Sequence, residues 1–159
     1  MKPTETHQKL HKLLESNEDS QRAFHAAASA VSDPQLQRQF HAWALERETY
    51  CTQLRNLLTI LNAPRLFVEF EKGSAAGFFQ RAWMHIASAV YTRDEIAIIK
   101  ACQTGEHWSN NVYETALAGE LPSEVREVVE TQFTGVTKVQ SSLKELLLRA
   151  EKGNKCLHT

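Results

Sequence analysis

The sequence predicts an all-α protein, a bundle of four long helices that form two antiparallel hairpins joined by one long connection. Glycine and proline are scarce, with 6 and 4 residues in a chain of 159, and good helix formers fill the stretches between them. Apolar residues recur at alternating steps of four and three, the heptad pattern of helices packed nearly antiparallel. About 30 residues separate the second long helix from the third. A connection of that length can run the full height of a bundle.

The first hairpin is defined by a turn at residues 32–34. The first predicted helix runs from about Thr4 to Val31, and residues 16–21 within it are poor helix formers that would allow a break. Pro34 suits the first position of the second helix, which runs to about Asn62. The predicted buried seam of this second helix comprises Leu36, Phe40, Trp43, Arg47, Tyr50, Leu54, Leu57 and Leu61.

The second hairpin follows a connection that carries an extra short helix, expected over about residues 74–91. Thr92 and Glu95 fit a capping box that starts the third long helix, and Gly119 ends it. The fourth helix begins at Pro122 and ends near Ala150. The predicted seams are Ile96, Ile99, Gln103, Glu106, Asn110, Tyr113 and Leu117 in the third helix, and Val125, Val129, Phe133, Val136, Gln140, Leu143 and Leu147 in the fourth.

The lengths of the connections predict the topology. Tight turns make the helices of each hairpin antiparallel neighbours, and one long crossover between the hairpins is the connectivity of a ferritin-like four-helix bundle. The bundle is expected to form a single domain over residues 1–151. The polar residues 152–159 are expected to form a frayed C-terminal tail.

Polar residues interrupt the apolar seams of all four helices at about the same depth in this arrangement. Burying such groups costs roughly 1–3 kcal/mol each unless they bond to one another. They would therefore ligate a metal, satisfy one another as a hydrogen-bonded layer, or line a wet pocket. The predicted layer consists of Gln21, Glu46, Arg47, Gln103, Glu106, Asn110 and Gln140.

The residue types in this layer favour hydrogen bonding over metal binding. Di-metal carboxylate bundles use Glu-x-x-His on two of their helices, and this sequence contains no Glu-x-x-His. Glu46 and Glu106 are the acids aimed at the centre, and Arg47 adds a positive charge where a cation would sit. We expect Arg47 to pair with Glu106 without a cofactor, and the alternative is a site for iron or manganese. The remaining bonds of the layer are expected from the amides of Gln21, Gln103 and Gln140.

Four histidines are alternative metal ligands. His7 and His11 are four residues apart, which suits a chelating pair, although two ordinary surface histidines are the favoured interpretation. His85 lies on the short connecting helix, where it would cover the bundle. His107 points away from the seam of the third helix, which indicates a position at the rim.

Charge and composition argue against several classes of partner. Lys and Arg total 18 and Asp and Glu total 19, so a net charge of −1 offers no basic surface for nucleic acid or an anionic membrane. No apolar run is long enough to span a bilayer, and the N-terminal stretch MKPTETHQKL lacks the apolar core of a signal peptide. Three cysteines without Cys-x-x-Cys spacing indicate free thiols. We therefore expect a cytoplasmic protein.

Five stretches occur in order along the chain: AVSDPQL (30–36), ALERETYCTQL (44–54), FFQRAWMHI (78–86), GEHWSNNVYETAL (105–117) and LPSEVREVVETQF (121–133). Together they resemble an uncharacterised bacterial family of ferritin-like four-helix-bundle domains. The resemblance implies the bundle and its crossover helix and brings no established reaction. Glu46 and Glu106 match acids of the family pattern, whereas Gln21 stands where the pattern has an acid and Gln140 where it has histidine. Glutamine keeps the layer polar but is a poor ligand for a divalent metal.

The leading expectation is a non-catalytic structural or interaction module with a degenerate metal site, which self-associates as a homodimer. One alternative is a di-iron or di-manganese carboxylate oxidoreductase, or a metal-storage protein, that uses Glu46 and Glu106. Another is a small-ligand-binding bundle in which the polar layer forms the floor of a pocket beneath the short helix.

Overall fold

The computed structural model describes residues 3–62 and 86–157, and all regular secondary structure within these ranges is α-helical. Helix α1 spans Pro3–Ala30, α2 spans Pro34–Ile60, α3 spans Glu95–Ala118 and α4 spans Ser123–Leu157. A short helical segment at residues 86–92 precedes α3, and the rest of the predicted short helix lies outside the described residues. No helix within the described ranges is both long and apolar enough to cross a membrane.

The turn between α1 and α2 confirms the predicted boundary. Asp33 is the N-cap of α2, and its carboxylate accepts a hydrogen bond from the backbone N–H of Gln35 at 3.0 Å. Pro34 occupies the first helical position, where its missing N–H costs nothing. Helix α1 is continuous through residues 16–21, because their hydroxyl and amide groups find partners on neighbouring turns and helices.

The start of α3 differs in detail from the predicted capping box. Asp94 is the N-cap, since its carboxylate accepts from the N–H groups of Ile96 at 3.0 Å and Ala97 at 3.4 Å. Thr92 instead donates to the carbonyl of Ala89. Glu95 reaches across to the α1–α2 turn, where its carboxylate accepts from the N–H of residue 32 at 3.2 Å. Its side chain therefore ties the two hairpins together at this end of the bundle.

Helix α4 is longer than predicted. It continues to Leu157, through residues assigned to a polar tail, whereas the sequence predicted an end near Ala150. Polarity alone does not end a helix, and Glu151 and Lys152 are good helix formers. Glu151 also forms an ion pair with Lys100 of α3 at 3.8 Å. The division of the chain into a domain at 1–151 and a tail stays a prediction.

The helices pack as two hairpins placed side by side. Helix α1 packs extensively on α2, α3 packs on α4, and α1 also packs on α3, whereas α2 and α4 contact each other over a much smaller area. Two apolar clusters fill the interior. The cluster near the α1–α2 turn contains Phe24, Phe40, Trp43, Ile98, Val139 and Leu143 among others. The cluster at the opposite end contains Leu10, Leu13, Leu54, Tyr113, Val129 and Val136 among others.

The seams of three helices are rotated relative to the predicted ones. In α4 the buried positions are Val125, Val129, Gln132, Val136, Val139 and Leu143, so Gln132 and Val139 lie where Phe133 and Gln140 were expected. In the second half of α2 the buried residues are Cys51, Leu54 and Leu58, while Leu57 is only half-buried. Helix α3 turns Cys102 and Ser109 inward, and Gln103 lies at the edge. A rotation by one residue moves a side chain by about 100° around the helix.

Candidate functional site: a buried polar layer

A fully buried ion pair lies between the two apolar clusters. Arg47 of α2 and Glu106 of α3 are 0% and 1% exposed, and Arg47 Nη2 is 2.7 Å from Glu106 Oε2. Arg47 Nη1 is also 3.5 Å from Oε1 of Glu46, which lies at the edge of the layer. The pairing of Arg47 with Glu106 therefore agrees with the expectation from sequence. At this distance the contact is a charge-assisted hydrogen bond.

Two aromatic rings enclose the guanidinium group. Arg47 Cζ lies 5.9 Å from the centroid of the Phe24 ring and 5.5 Å from that of Tyr50. Cation–π contact with desolvated rings adds to the attraction between Arg47 and the carboxylates. The guanidinium is therefore held from α1 and from its own helix as well as from α3.

Burial dominates the electrostatics of the pair. It raises the pKa of the Glu106 carboxyl, while the charge of Arg47 and its hydrogen bond act in the opposite direction. Burial is also the largest single effect on Arg47 and disfavours its charged form, but Glu106, Tyr113 and Glu46 together outweigh it, so the pKa of Arg47 is raised. Each charge is thus tolerated only because the other is present.

Gly135 of α4 has no side chain, and this allows Tyr50 and Glu46 of α2 to pack against the α4 backbone. A Cβ built on Gly135 would overlap the Tyr50 hydroxyl and lie 3.2 Å from Glu46 Oε1. The Tyr50 hydroxyl faces Glu46, and burial followed by this carboxylate raises the pKa of Tyr50 to about 12. Tyr50 and Glu46 of α2 therefore lie directly on the α4 backbone at Gly135.

A second set of polar side chains crosses the bundle beside the ion pair. The Asn17 amide donates to the Tyr113 hydroxyl at 2.8 Å, and that hydroxyl donates to the Gln132 carbonyl oxygen at 2.7 Å. Gln132 in turn donates to the side chain of Gln53 at 2.8 Å. The chain of bonds joins all four helices. Because Asn17, Tyr113 and Gln132 are at most 2% exposed, each of these bonds replaces one to water.

Serine hydroxyls form a third group, between α1 and α3. The Ser109 hydroxyl lies 3.1 Å from that of Ser16 and 3.2 Å from that of Ser20. A cavity of about 30 Å³ adjoins them, and Asp19 and Glu106 also line it. That volume admits one or two water molecules and is too small for a metabolite.

The predicted site residues divide into two groups. Arg47 and Glu106 meet in the layer with Glu46 beside them, and Asn110 is 8% exposed with its carbonyl oxygen unbonded among the described residues. Three predicted amides lie half-buried at the edge, and no hydrogen bond joins them to Arg47 or Glu106 within the described part of the chain. These are Gln21, Gln103 and Gln140.

The sequence interpretation missed Asn17, Gln132 and the three serines. A usable signal existed for Gln132, because positions 125, 129, 132, 136, 139 and 143 continue the alternation of four and three without a break. Asn17 and two of the serines lie in the stretch that seemed a poor helix former. In that stretch the polar side chains mark the inward face of α1.

The histidines are placed differently from expectation. His7 and His11 are each 7% exposed, so the interpretation as surface residues is wrong. The first turns of α1 are covered, and His11 lines a cavity with Leu58 of α2. His107 is exposed and its ring contacts Trp108 at a centroid distance of 5.5 Å. His85 lies outside the described residues.

The described ranges, 3–62 and 86–157, contain histidine, acidic and cysteine side chains that could serve as metal ligands or nucleophiles. No group of three or more His, Cys, Asp or Glu side chains there is arranged to hold a metal ion. Cys51 and Cys102 are free, as the sequence predicted, and both are buried like small apolar residues. Burial raises the pKa of the Cys51 thiol to about 11, and it raises that of Cys102 as well. Both thiols therefore stay protonated and poorly nucleophilic at neutral pH.

A family profile described as a domain of unknown function, DUF2383, matches residues 5–119, more than half of the chain. The chain belongs to this family. The matched region of this DUF2383 chain contains Asn17, Arg47, Glu106 and Tyr113, whereas Gln132 and Gly135 of α4 lie beyond it. No curated protein matches the sequence.

Proposed function

We propose that this chain is a non-catalytic structural or interaction module with the connectivity of a bacterial ferritin-like bundle, acting in the cytoplasm. In this proposal, a buried ion pair takes the place of a metal centre at the middle of the bundle. The observation that carries the proposal is the 2.7 Å contact between Arg47 and Glu106, both of them almost completely buried.

The charges of the layer support this proposal. Two divalent metals bring four positive charges, and bundles of the di-metal class balance them with four carboxylates and two histidines. Here Glu46 and Glu106 are the acids beside the centre, and Arg47 already neutralises one of them. A divalent cation placed next to the guanidinium would be strongly repelled at low dielectric. The layer is therefore suited to holding the bundle in one register and poorly suited to redox chemistry.

Metal analysis tests the proposal directly. The full chain is purified from cells supplemented with iron and manganese, and its metal content is measured by mass spectrometry. We expect far less than one equivalent of either metal per chain, with no change in the Glu106→Ala variant. A full equivalent that disappears in Glu106→Ala would reject the proposal and support the di-iron or di-manganese oxidoreductase or storage alternative.

Self-association as a homodimer is part of the proposal. Four large apolar side chains are strongly exposed in the part of the chain that the structure describes, and such groups are typical of contact surfaces when they lie together. They are Leu45, Ile60, Tyr91 and Leu148. Sedimentation velocity at micromolar concentration should show a dimer that Leu45→Lys or Leu148→Lys converts to a monomer. A monomeric wild-type chain under these conditions would contradict this part of the proposal.

Small-ligand binding is a second candidate function, because a larger cavity lies between α1 and α2. It has a volume of about 420 Å³, within the range of ligand pockets. Its polar lining includes His11, Glu15 and Glu18, and Arg55 Nη2 lies 3.2 Å from Glu18 Oε1. Thermal-shift measurements against a panel of metabolites test this candidate. A ligand that stabilises the wild type but not Arg55→Ala would support it, and the absence of any shift would count against it.

A further inference from the structure

Two histidines meet on the surface of the first hairpin, outside the polar layer. His25 of α1 and His41 of α2 lie at nearly equal distances from the α1–α2 turn, so the antiparallel helices bring them to the same level. Their ring centroids are 6.0 Å apart, and the ring planes are inclined at 62° to each other. Both side chains are exposed, so an ion in solution can reach them directly.

The spacing of the two imidazole rings is fixed by the core beneath them. Phe24 and Phe40 directly precede the two histidines in the sequence, and they stack on each other with ring centroids 6.1 Å apart. Trp43 packs on both phenylalanines, at centroid distances of 5.5 and 5.7 Å. Because these aromatic rings hold α1 against α2 at this level, the imidazoles are close together before anything binds. Such preorganisation lowers the entropic cost of binding one ligand with both.

The ring nitrogens are accessible as ligands. In the part of the chain that the structure describes, neither imidazole forms a hydrogen bond or an ion pair. Arg22 lies three residues before His25, but it is 62% exposed and its guanidinium is 3.3 Å from the Asp19 carboxylate, so its charge is compensated and screened. Imidazole nitrogen is a preferred ligand of zinc, whereas magnesium and calcium take oxygen ligands.

The distance between the rings fits a shared zinc ion. Two imidazoles that bind one zinc through nitrogens at about 2.0–2.1 Å have ring centroids roughly 5–6.5 Å apart, depending on the angle at the metal. The observed distance of 6.0 Å lies inside this interval, so one ion can bridge the rings with little movement of either helix.

We propose that His25 and His41 together bind one zinc ion, which links α1 to α2 near their turn. Zinc is usually four-coordinate, so two positions are left for water or for a donor atom of another molecule. The proposal goes beyond the function proposed above and does not depend on it, because this ion lies at the surface of the hairpin and the Arg47–Glu106 pair is left intact.

An NMR titration of the untagged full chain with zinc chloride at pH 7.5 tests this site through the imidazole signals of the histidines. We expect the signals of His25 and His41 to shift together, with one dissociation constant and saturation at one equivalent. The signals of His107, an exposed histidine of α3, should not follow this curve. Magnesium chloride is the control ion and should shift none of them.

Single variants distinguish a bridging ion from two separate surface histidines. If one ion needs both rings, His25→Gln should weaken zinc binding at His41 by about tenfold or more, and His41→Gln should do the same at His25. His107→Gln is the matched control and should leave the dissociation constant unchanged. An unchanged affinity at His41 in His25→Gln would overturn the proposal. Zinc-induced shifts confined to other histidines, such as His7 and His11, would overturn it as well.

Discussion

Removing the positive charge from the centre of the bundle should be the most destabilising single change in the polar layer. Arg47→Met keeps a flexible side chain of similar length and leaves Glu106 buried without its partner. Because both residues are almost completely inaccessible, the carboxylate cannot recover its lost interaction from solvent. Breaking a buried pair in this way typically costs about 3–5 kcal/mol. The contacts of Arg47 with Phe24 and Tyr50 are lost in addition.

A double variant separates the cost of an unpaired charge from the value of the pair. Arg47→Met with Glu106→Gln removes both charges and keeps the side-chain volumes similar. Replacing a buried pair by neutral groups is often neutral or stabilising, so we expect the double variant to recover most of the loss, to within roughly 1 kcal/mol of the wild type. The double variant should then be about 2–4 kcal/mol more stable than Arg47→Met alone.

Urea unfolding at neutral pH measures these free energies, with the slope of each transition checked for two-state behaviour. The pH dependence of the cost of Arg47→Met gives an independent test. Since burial raises the pKa of Glu106 in the folded state, the penalty in Arg47→Met is present at high pH and is relieved as pH falls and the carboxyl takes up a proton. A cost below about 1 kcal/mol for Arg47→Met, or a double variant no more stable than the single one, would refute the central role of the pair.

Three further changes test other parts of the structure. Gly135→Ala should destabilise by about 1–3 kcal/mol in urea unfolding, because the methyl group overlaps Tyr50, whereas the matched Gly153→Ala on the same helix meets nothing and should stabilise slightly. Equal effects of the two would mean that Tyr50 does not lie against α4. Gln132→Leu should lower the free energy of unfolding by about 1–3 kcal/mol, since the buried Tyr113 hydroxyl loses its hydrogen-bond acceptor. Gln140→Leu should change it by no more than roughly 0.5 kcal/mol. A larger loss for Gln140→Leu than for Gln132→Leu would favour the seam predicted from sequence. In measurements well above pH 6, Asp19→Asn should raise the thermal midpoint, because the folded wild type holds an unfavourable buried carboxylate there. Well below about pH 3.8 the carboxyl is neutral in both states, so the variant should have no effect, and a gain that persists at low pH would contradict the raised pKa of Asp19.

The hairpins were predictable from sequence because local signals determine them. Asp33 and Pro34 cap α2 through contacts within a few residues, and such contacts are readable from the chain itself. The start of α3 was harder. Glu95 has the spacing of a capping box but uses its carboxylate on the backbone of the α1–α2 turn, more than 60 residues away in sequence. Such a contact exists only after the hairpins have packed.

The centre of the site was predictable and its periphery was not. Arg47 and Glu106 stand out because charges on an apolar seam require partners, and each is the strongest available partner of the other. For a neutral amide the sequence indicates its position less clearly. A glutamine costs little free energy at the edge of a bundle, and it is also tolerated in the interior when its amide is hydrogen-bonded. Choosing Gln140 over Gln132 in α4 therefore depended on a rotation of one residue. Both registers bury a valine at position 136, so apolar patterning did not separate them.

The arrangement of polar groups explains why the layer lies between the two apolar clusters. An apolar core packed only by leucine, valine and phenylalanine tolerates small slips of one hairpin along the other, because apolar contacts are not directional. A slip by one helical turn would separate Arg47 from Glu106 and Asn17 from Tyr113, and it would break both of these buried contacts between the hairpins. The penalty for that state is several kcal/mol, comparable with the whole stability of a small domain. The layer thus stabilises one axial alignment of the hairpins mainly by destabilising the alternatives. Removing every polar group of the layer should give a bundle that stays helical and loses its single, well-ordered register, which the dispersion of its methyl NMR signals would reveal.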